Sequence, residues 1–259
     1  MRLSMAVRVA IYTVLVFLAT AILAVETPAT GGYFDLGEAA IYAIAAFTPP
    51  LATAIAAGIG SAMADLALGY WYFAPATLAI KFTEGYVVSR LIEIVKRRQS
   101  PPLWLRVATP VIAGGIACVV ATLSLGRGGL GLELSWVPIQ IAGVKIVDIP
   151  SVTLDLPPML WAVIAGLIAG LGVAIAVVSR ARPYVLPMAV GGMIMVTGYF
   201  LYEYFVSNPL ILGRSPIGAL YEVPVNVGQF AAGILIAYAV INFVERARGR
   251  GPEPLSERR

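Results

Sequence analysis

Between positions 1 and 25 the chain carries only two charged side chains, Arg2 and Arg8, in an otherwise apolar run. A stretch of about 20 apolar residues is enough for a helix to cross a bilayer, and within hydrocarbon the backbone polar groups must be satisfied internally. Runs of this kind return until residue 244, which restricts the chain to a helical bundle held in lipid. Composition agrees, with 59% hydrophobic and 12% charged residues against roughly 45–50% and 25% in soluble domains. The expected fold is an all-α polytopic membrane protein of about eight hydrophobic segments.

The first segment reaches Val25. Small residues at Ala19-Thr20-Ala21 resemble a cleavage site, but the run is long enough to span and is read as a retained helix, cytoplasmic side first. Pro28 and Gly31-Gly32 make residues 26–35 a turn-rich outer loop. Helices are expected at 36–47, 51–68 and 74–95, separated by Pro49-Pro50 and by the aromatic turn Gly69-Tyr70-Trp71-Tyr72-Phe73. The third of these stops at Lys96-Arg97-Arg98. Two further spans, 104–124 (with Cys118) and 158–179, flank the polar interval 125–157. Within that interval, Ile139, Ile141, Val144, Ile146 and Ile149 around Ala142-Gly143 predict a small β-hairpin outside the membrane. The last helices are expected at 184–206 and 217–244, with an outer loop holding Asn208-Pro209 between them. Residues 1–245 thus form one transmembrane domain, followed by a basic cytoplasmic tail, 246–259. Inner turns receive Arg2, Arg8, Lys96, Arg97, Arg98, Arg106, Arg180, Arg182 and the tail arginines, and outer loops only Arg127, Lys145 and Arg214. This bias places both termini in the cytoplasm.

Charge inside the apolar segments is the clue to function. Asp35, Glu38, Asp65, Lys81 and Glu84 lie in or beside hydrophobic runs, where each ionised group costs roughly 2.5–3.5 kcal/mol on insertion scales. Asp65 and Lys81 sit on consecutive helices and are read as a structural ion pair, with ligand contact as the competing role. Glu203 and Glu222 are either solvated interfacial carboxylates or ligand contacts. Glu222, Asn226 and Gln229 share one helix face, and the two amides are interhelical hydrogen bonders or ligand contacts. Tyr33, Trp71 and Tyr199 offer rings on which a planar heterocycle could stack, although single rings at this depth also form interfacial belts. Histidine is absent and Cys118 is the sole cysteine, which excludes intramolecular disulfides, His-dependent triads and the usual zinc sites. There is no phosphate loop of the Gly-x-x-x-x-Gly-Lys-Ser/Thr type, so any ATP drive must come from a partner. No nucleophile with an adjacent base can be named, and the chain is not read as an enzyme. Nothing points to nucleic acid.

Five stretches carry a resemblance: Gly32-Tyr-Phe-Asp-Leu-Gly-Glu38, Gly58-Ile-Gly-Ser-Ala-Met-Ala-Asp65, Ala74-Pro-Ala-Thr-Leu-Ala-Ile-Lys81, Gly198-Tyr-Phe-Leu-Tyr-Glu203, and Glu222-Val-Pro-Val-Asn226 with Gln229. Together they make the chain similar to the substrate-binding S components of energy-coupling factor (ECF) transporters, leaning to the riboflavin-type and related B-vitamin group. The resemblance implies a compact bundle that captures a vitamin from outside, beneath the loop after the first helix. It implies as partners a transmembrane T component and two ATPase subunits that use the ATP, with no cofactor in this chain. Ala6 and Ala10 would form the docking face, and docking would topple the S component to release the ligand inward. A six-helix core, 1–98 and 183–245, then carries an inserted helix pair with an external loop, 104–180. The expected substrate contacts are Tyr33, Asp35, Glu38, Trp71, Lys81, Glu84, Tyr199, Glu203, Glu222, Asn226 and Gln229. The alternative is an independent secondary transporter with Asp65, Glu84 or Glu222 as proton carriers.

Overall fold

The computed structural model describes residues 4–27, 32–97, 130–136, 140–141, 144–145, 152–156 and 184–248. Its helices are α1 (Met5–Ile22), α2 (Gly37–Ala45), α3 (Pro50–Leu68), α4 (Ala74–Arg97), α5 (Val185–Tyr202) and α6 (Ala219–Ala247). Its strands are β1 (Val25–Thr27), β2 (Gly32–Phe34), β3 (Leu130–Trp136), β4 (Gln140–Ile141), β5 (Val144–Lys145) and β6 (Val152–Leu156). The expected spans 104–124 and 158–179, with Cys118, lie outside the described residues, as does the tail beyond residue 248.

Local chemistry sets the helix ends. The Ser4 hydroxyl caps α1 by accepting from the Val7 N–H at 3.4 Å. Pro50 opens α3 where no amide hydrogen is needed, and Gly69 closes it in the left-handed region at φ 91°. The helices pack in the cyclic order α1–α3–α4–α5–α6–α2, with α2 closing the ring against α1. On α3, Gly58 and Gly60 face opposite ways, since two residues turn about 200° on a helix. A Cβ at Gly58 would stand 2.8 Å from the Leu78 carbonyl oxygen of α4, and one at Gly60 2.7 Å from the Thr13 carbonyl oxygen of α1. Backbone therefore meets backbone on both sides of α3, the close approach that helices use where lipid provides no hydrophobic gain.

Polarity is inverted relative to a protein in water. Val14 and Ile22 of α1, Leu51 and Leu66 of α3, and Phe243 of α6 are exposed, whereas Asp35, Glu38, Asp65, Lys81, Glu84, Glu203 and Glu222 are buried. Hydrocarbon favours this arrangement and water opposes it. Four stretches, Met5–Ile22, Pro50–Leu68, Val185–Ile211 and Pro216–Ala247, are long and apolar enough to cross a membrane. α4 matches them in length at 24 residues but carries Lys81, Glu84, Arg90, Glu93, Lys96 and Arg97. α2, at 9 residues, rises only about 13 Å.

The segments expected at 36–47, 51–68 and 74–95 correspond to α2, α3 and α4, and those at 184–206 and 217–244 to α5 and α6. Two expectations are corrected. Residues 26–35 are not simply a loop: β1 pairs antiparallel with β2, Val25 opposite Phe34 and Thr27 opposite Gly32. β1 also pairs with β3, and β3 with β6, giving the order β2–β1–β3–β6. Val, Thr, Tyr and Phe favour extended backbone, a preference masked in the sequence by the breakers Pro28 and Gly31. Separately, β4 and β5 pair antiparallel, Ile141 opposite Val144. The second correction concerns Asn208-Pro209, which is no loop: α5 runs on as a π-helix, Glu203–Ile211. Pro209 clashes with the carbonyl four residues back in an α-helix, and the wider π turn relieves that clash.

Candidate functional site

At the end of the bundle where α3 hands over to α4, a narrow cavity opens among six elements. α3 contributes Ser61 and Asp65, and α4 contributes Thr77 and Lys81, each pair one turn apart. Tyr199 of α5 and Glu203 at the start of the π-helix repeat that spacing, and α6 adds Glu222, Asn226 and Gln229. Thr20 of α1, Gly32 and Tyr33 of β2, Asp35 and Phe73 complete the wall. A Cβ at Gly32 would lie 2.8 Å from the Glu222 Oε1, so a larger residue there would push the Glu222 carboxyl group aside.

Beneath the cavity lies a closed polar network. Lys81 pairs with Glu38 and, at 3.3 Å, with Glu84 Oε2. The Tyr42 hydroxyl donates to Glu84 Oε1 at 2.7 Å. Gln229 Nε2 donates to Glu38 Oε2 at 2.7 Å and to Asp35 Oδ2 at 3.0 Å, while its Oε1 accepts from the Asp35 N–H at 3.2 Å. That last bond fixes the orientation of the amide. Asp35 Oδ1 accepts from the Gly37 N–H. Burial raises the Asp35 carboxyl to about 6, with Lys81 and the Gly37 N–H opposing that rise. Tyr33 is likewise raised well above its ordinary value, by burial first and then by the Asp65 charge.

The walls are less complete. The Tyr33 hydroxyl donates to Asp65 Oδ1 at 2.5 Å, and the Tyr199 hydroxyl to Thr77 Oγ1 at 3.0 Å. Thr20 Oγ1, Ser61 Oγ, Asp65 Oδ2 and Glu203 Oε2 are buried without a hydrogen-bond partner. Aromatic rings frame the mouth: Tyr33 and Tyr70 lie 4.9 Å apart by centroid, Phe73 and Tyr199 6.2 Å. At the other end of the bundle, Lys96 donates to the Ala46 carbonyl at 2.8 Å and Arg248 lies over the Phe47 ring, so basic side chains collect there.

Eight of the expected substrate contacts, Tyr33, Asp35, Lys81, Tyr199, Glu203, Glu222, Asn226 and Gln229, line this cavity together, as does Asp65, expected as an ion-pair partner. Glu38 and Glu84 sit below it, within the ion network. Trp71 does not line it: the indole is 65% exposed and edge-on to Tyr72. The expected Asp65–Lys81 pair is replaced by Lys81 with Glu38 and Glu84, and by Asp65 with Tyr33. Depth explains the exchange. Asp65 stands four residues before Gly69, about 6 Å along the axis, and Lys81 eight residues after Phe73, about 12 Å, so Thr77 and not Lys81 faces Asp65. Thr20, Gly32, Ser61 and Thr77 were not expected as cavity residues; for Ser61 and Thr77 the signal was their one-turn spacing from Asp65 and Lys81. Ala6 and Ala10 are exposed on α1.

Residues 2–128 match the family model described as ECF-type riboflavin transporter, S component. A Pyrococcus woesei protein described as "Uncharacterized protein in gap 3'region" is 32% identical over 119 residues, covering 44% of this chain and 76% of that protein. No solved structure matches significantly.

Proposed function

The chain belongs to the S components of the ECF-type transporters, and on that premise we propose that it captures a small vitamin-like solute at the outer face of the plasma membrane for an ATP-driven importer. The observation that carries this reading is the cavity itself: polar residues from six elements, distant in sequence and buried in a lipid-immersed bundle, converge at one end. Lys96 and Arg248 gather at the opposite end. The positive-inside bias makes that end, with both termini, cytoplasmic and turns the cavity outward.

Tyr33, Asp35, Tyr199, Glu203, Glu222, Asn226 and Gln229 would contact the solute directly. Lys81, Glu38 and Glu84 would hold the floor in shape. The exposed Ala6/Ala10 face of α1 would dock on the T component, and two ATPase subunits would supply the drive. The core, 1–98 and 183–245, would carry the insert 104–180 as an extra helix pair with the β4–β5 hairpin outside. A pair of spans preserves the orientation of every later helix and brings the total to about eight segments.

The test is titration of the purified full-length protein in detergent with a panel of B vitamins, followed by tryptophan fluorescence and calorimetry. One vitamin is expected to bind with Kd below about 1 μM, and Tyr199→Ala to weaken it at least about tenfold. Absence of binding across the panel, together with vitamin uptake into proteoliposomes by a pH gradient with no partner present, would replace capture by ion-coupled transport.

A further inference from the structure

The state of the polar groups around the cavity narrows what it accepts. Lys81, the only cation among the described residues that line it, is already held by Glu38 and Glu84. Asp35 is engaged by the Gly37 N–H and by Gln229. Among the described residues that line the cavity, the buried polar atoms without a hydrogen-bond partner are Asp65 Oδ2, Glu203 Oε2 and the Thr20 and Ser61 oxygens, on residues at most 2% exposed. The carboxylate oxygens among them can only accept while ionised, and a hydroxyl can accept as well as donate. Ionised, the two carboxylate oxygens lack a donor, and the two hydroxyls can serve a ligand in either direction.

Charge points the same way. Among the described residues that line the cavity, Asp35, Asp65, Glu203 and Glu222 carry carboxyl groups and Lys81 alone is a cation. An anionic solute would bring a further negative charge against these carboxyl groups, and a neutral solute rich in acceptors would leave Asp65 Oδ2 and Glu203 Oε2 unsatisfied. A bare metal ion does not fit, since no three Asp, Glu or Cys side chains among the described residues are grouped to hold one. The faces of Phe73 and Tyr199, beside the carboxylates, suit a delocalised positive charge.

Resting on the capture reading above, we infer that the solute is a small organic cation bearing N–H donors, held between the unpartnered oxygens of Asp65 and Glu203. Charge-assisted N–H···O bonds would complete both carboxylates, with Thr20 and Ser61 taking further donors. Glu203 and Asp65 are then specificity-determining residues, and the Lys81 network is their rigid base.

The full-length protein in detergent is titrated by calorimetry with thiamine as the cationic probe, riboflavin as the neutral one and biotin as the anionic one, and any co-purifying solute is identified by mass spectrometry. Thiamine is expected to bind at least about tenfold tighter than the other two, or a co-purifying solute to be cationic. Glu203→Gln and Asp65→Asn, near-isosteric changes checked for folding by thermal melting, are each expected to lower thiamine affinity by about tenfold or more. The probe comparison on the unaltered protein decides the matter even if a variant fails to fold. Riboflavin or biotin binding as tightly as thiamine, or a neutral or anionic co-purifying solute, overturns the cation assignment and leaves vitamin capture standing. Undiminished thiamine binding by both variants overturns the placement at Asp65 and Glu203. Binding of no probe, with no co-purifying solute, overturns both readings.

Discussion

Lys81 satisfies two buried carboxylates at once, so its removal exposes what they cost. Lys81→Met leaves Glu38 and Glu84 close together without a counter-charge and is expected to destabilise the protein by about 3–5 kcal/mol, read as thermal melting in detergent. Adding Glu38→Gln should restore part of the loss, because only one buried carboxylate then remains beside the methionine. Asp35 yields a pH dependence of determinate sign. Its carboxyl lies at about 6 in the folded protein against 3.8 ordinarily, so the fold binds the proton more tightly than the unfolded chain. The resulting stabilisation is complete below pH 3.8 and is lost as pH rises through about 6. Asp35 should contribute up to about 3 kcal/mol to this loss in melting curves, and Asp35→Asn should remove that share. The sequence revealed these residues because charge is conspicuous among alanines and valines. It did not reveal their pairing, which depends on how far each side chain sits below the α3–α4 turn. Asp65 and Lys81 differ there by about one helical turn, and no spacing within either helix records it.

α3 is the element on which the packing is most exacting. Gly60→Leu would drive a side chain into the α1 backbone at Thr13, and is expected to cost at least about 2 kcal/mol and to weaken solute binding through displacement of Thr20. Melting and titration of the same variant check both effects. Gly228, around which the structure leaves open space for a Cβ, is the natural control. The helices were legible because their apolar runs and proline or glycine stops are strong local signals. The π-helix was not, since proline in a polar dipeptide reads equally as a loop. The strands β1 and β2 are three residues each, too short for alternation to stand out, and β1 is held on its other side by β3, about 100 residues further along the chain.

At the scale of the molecule, the cavity and the Ala6/Ala10 face lie on separate surfaces and should separate in experiment. Ala6→Leu with Ala10→Leu is expected to leave solute affinity within about threefold while abolishing uptake by the assembled transporter, measured with radiolabelled solute. Trp71→Ala should likewise leave affinity within about threefold, because the indole points away from the cavity. The ring order α1–α3–α4–α5–α6–α2 has a further consequence for biosynthesis. Gln229 of α6 seals the floor against Asp35 and Glu38, residues synthesised some 190 positions earlier. While the ribosome is still completing the chain, α1 to α4 can enter the bilayer and Lys81 can find Glu38, yet the wall facing them does not exist. A chain ending before α6 should therefore insert and persist without binding anything. The cavity is the last thing this protein makes.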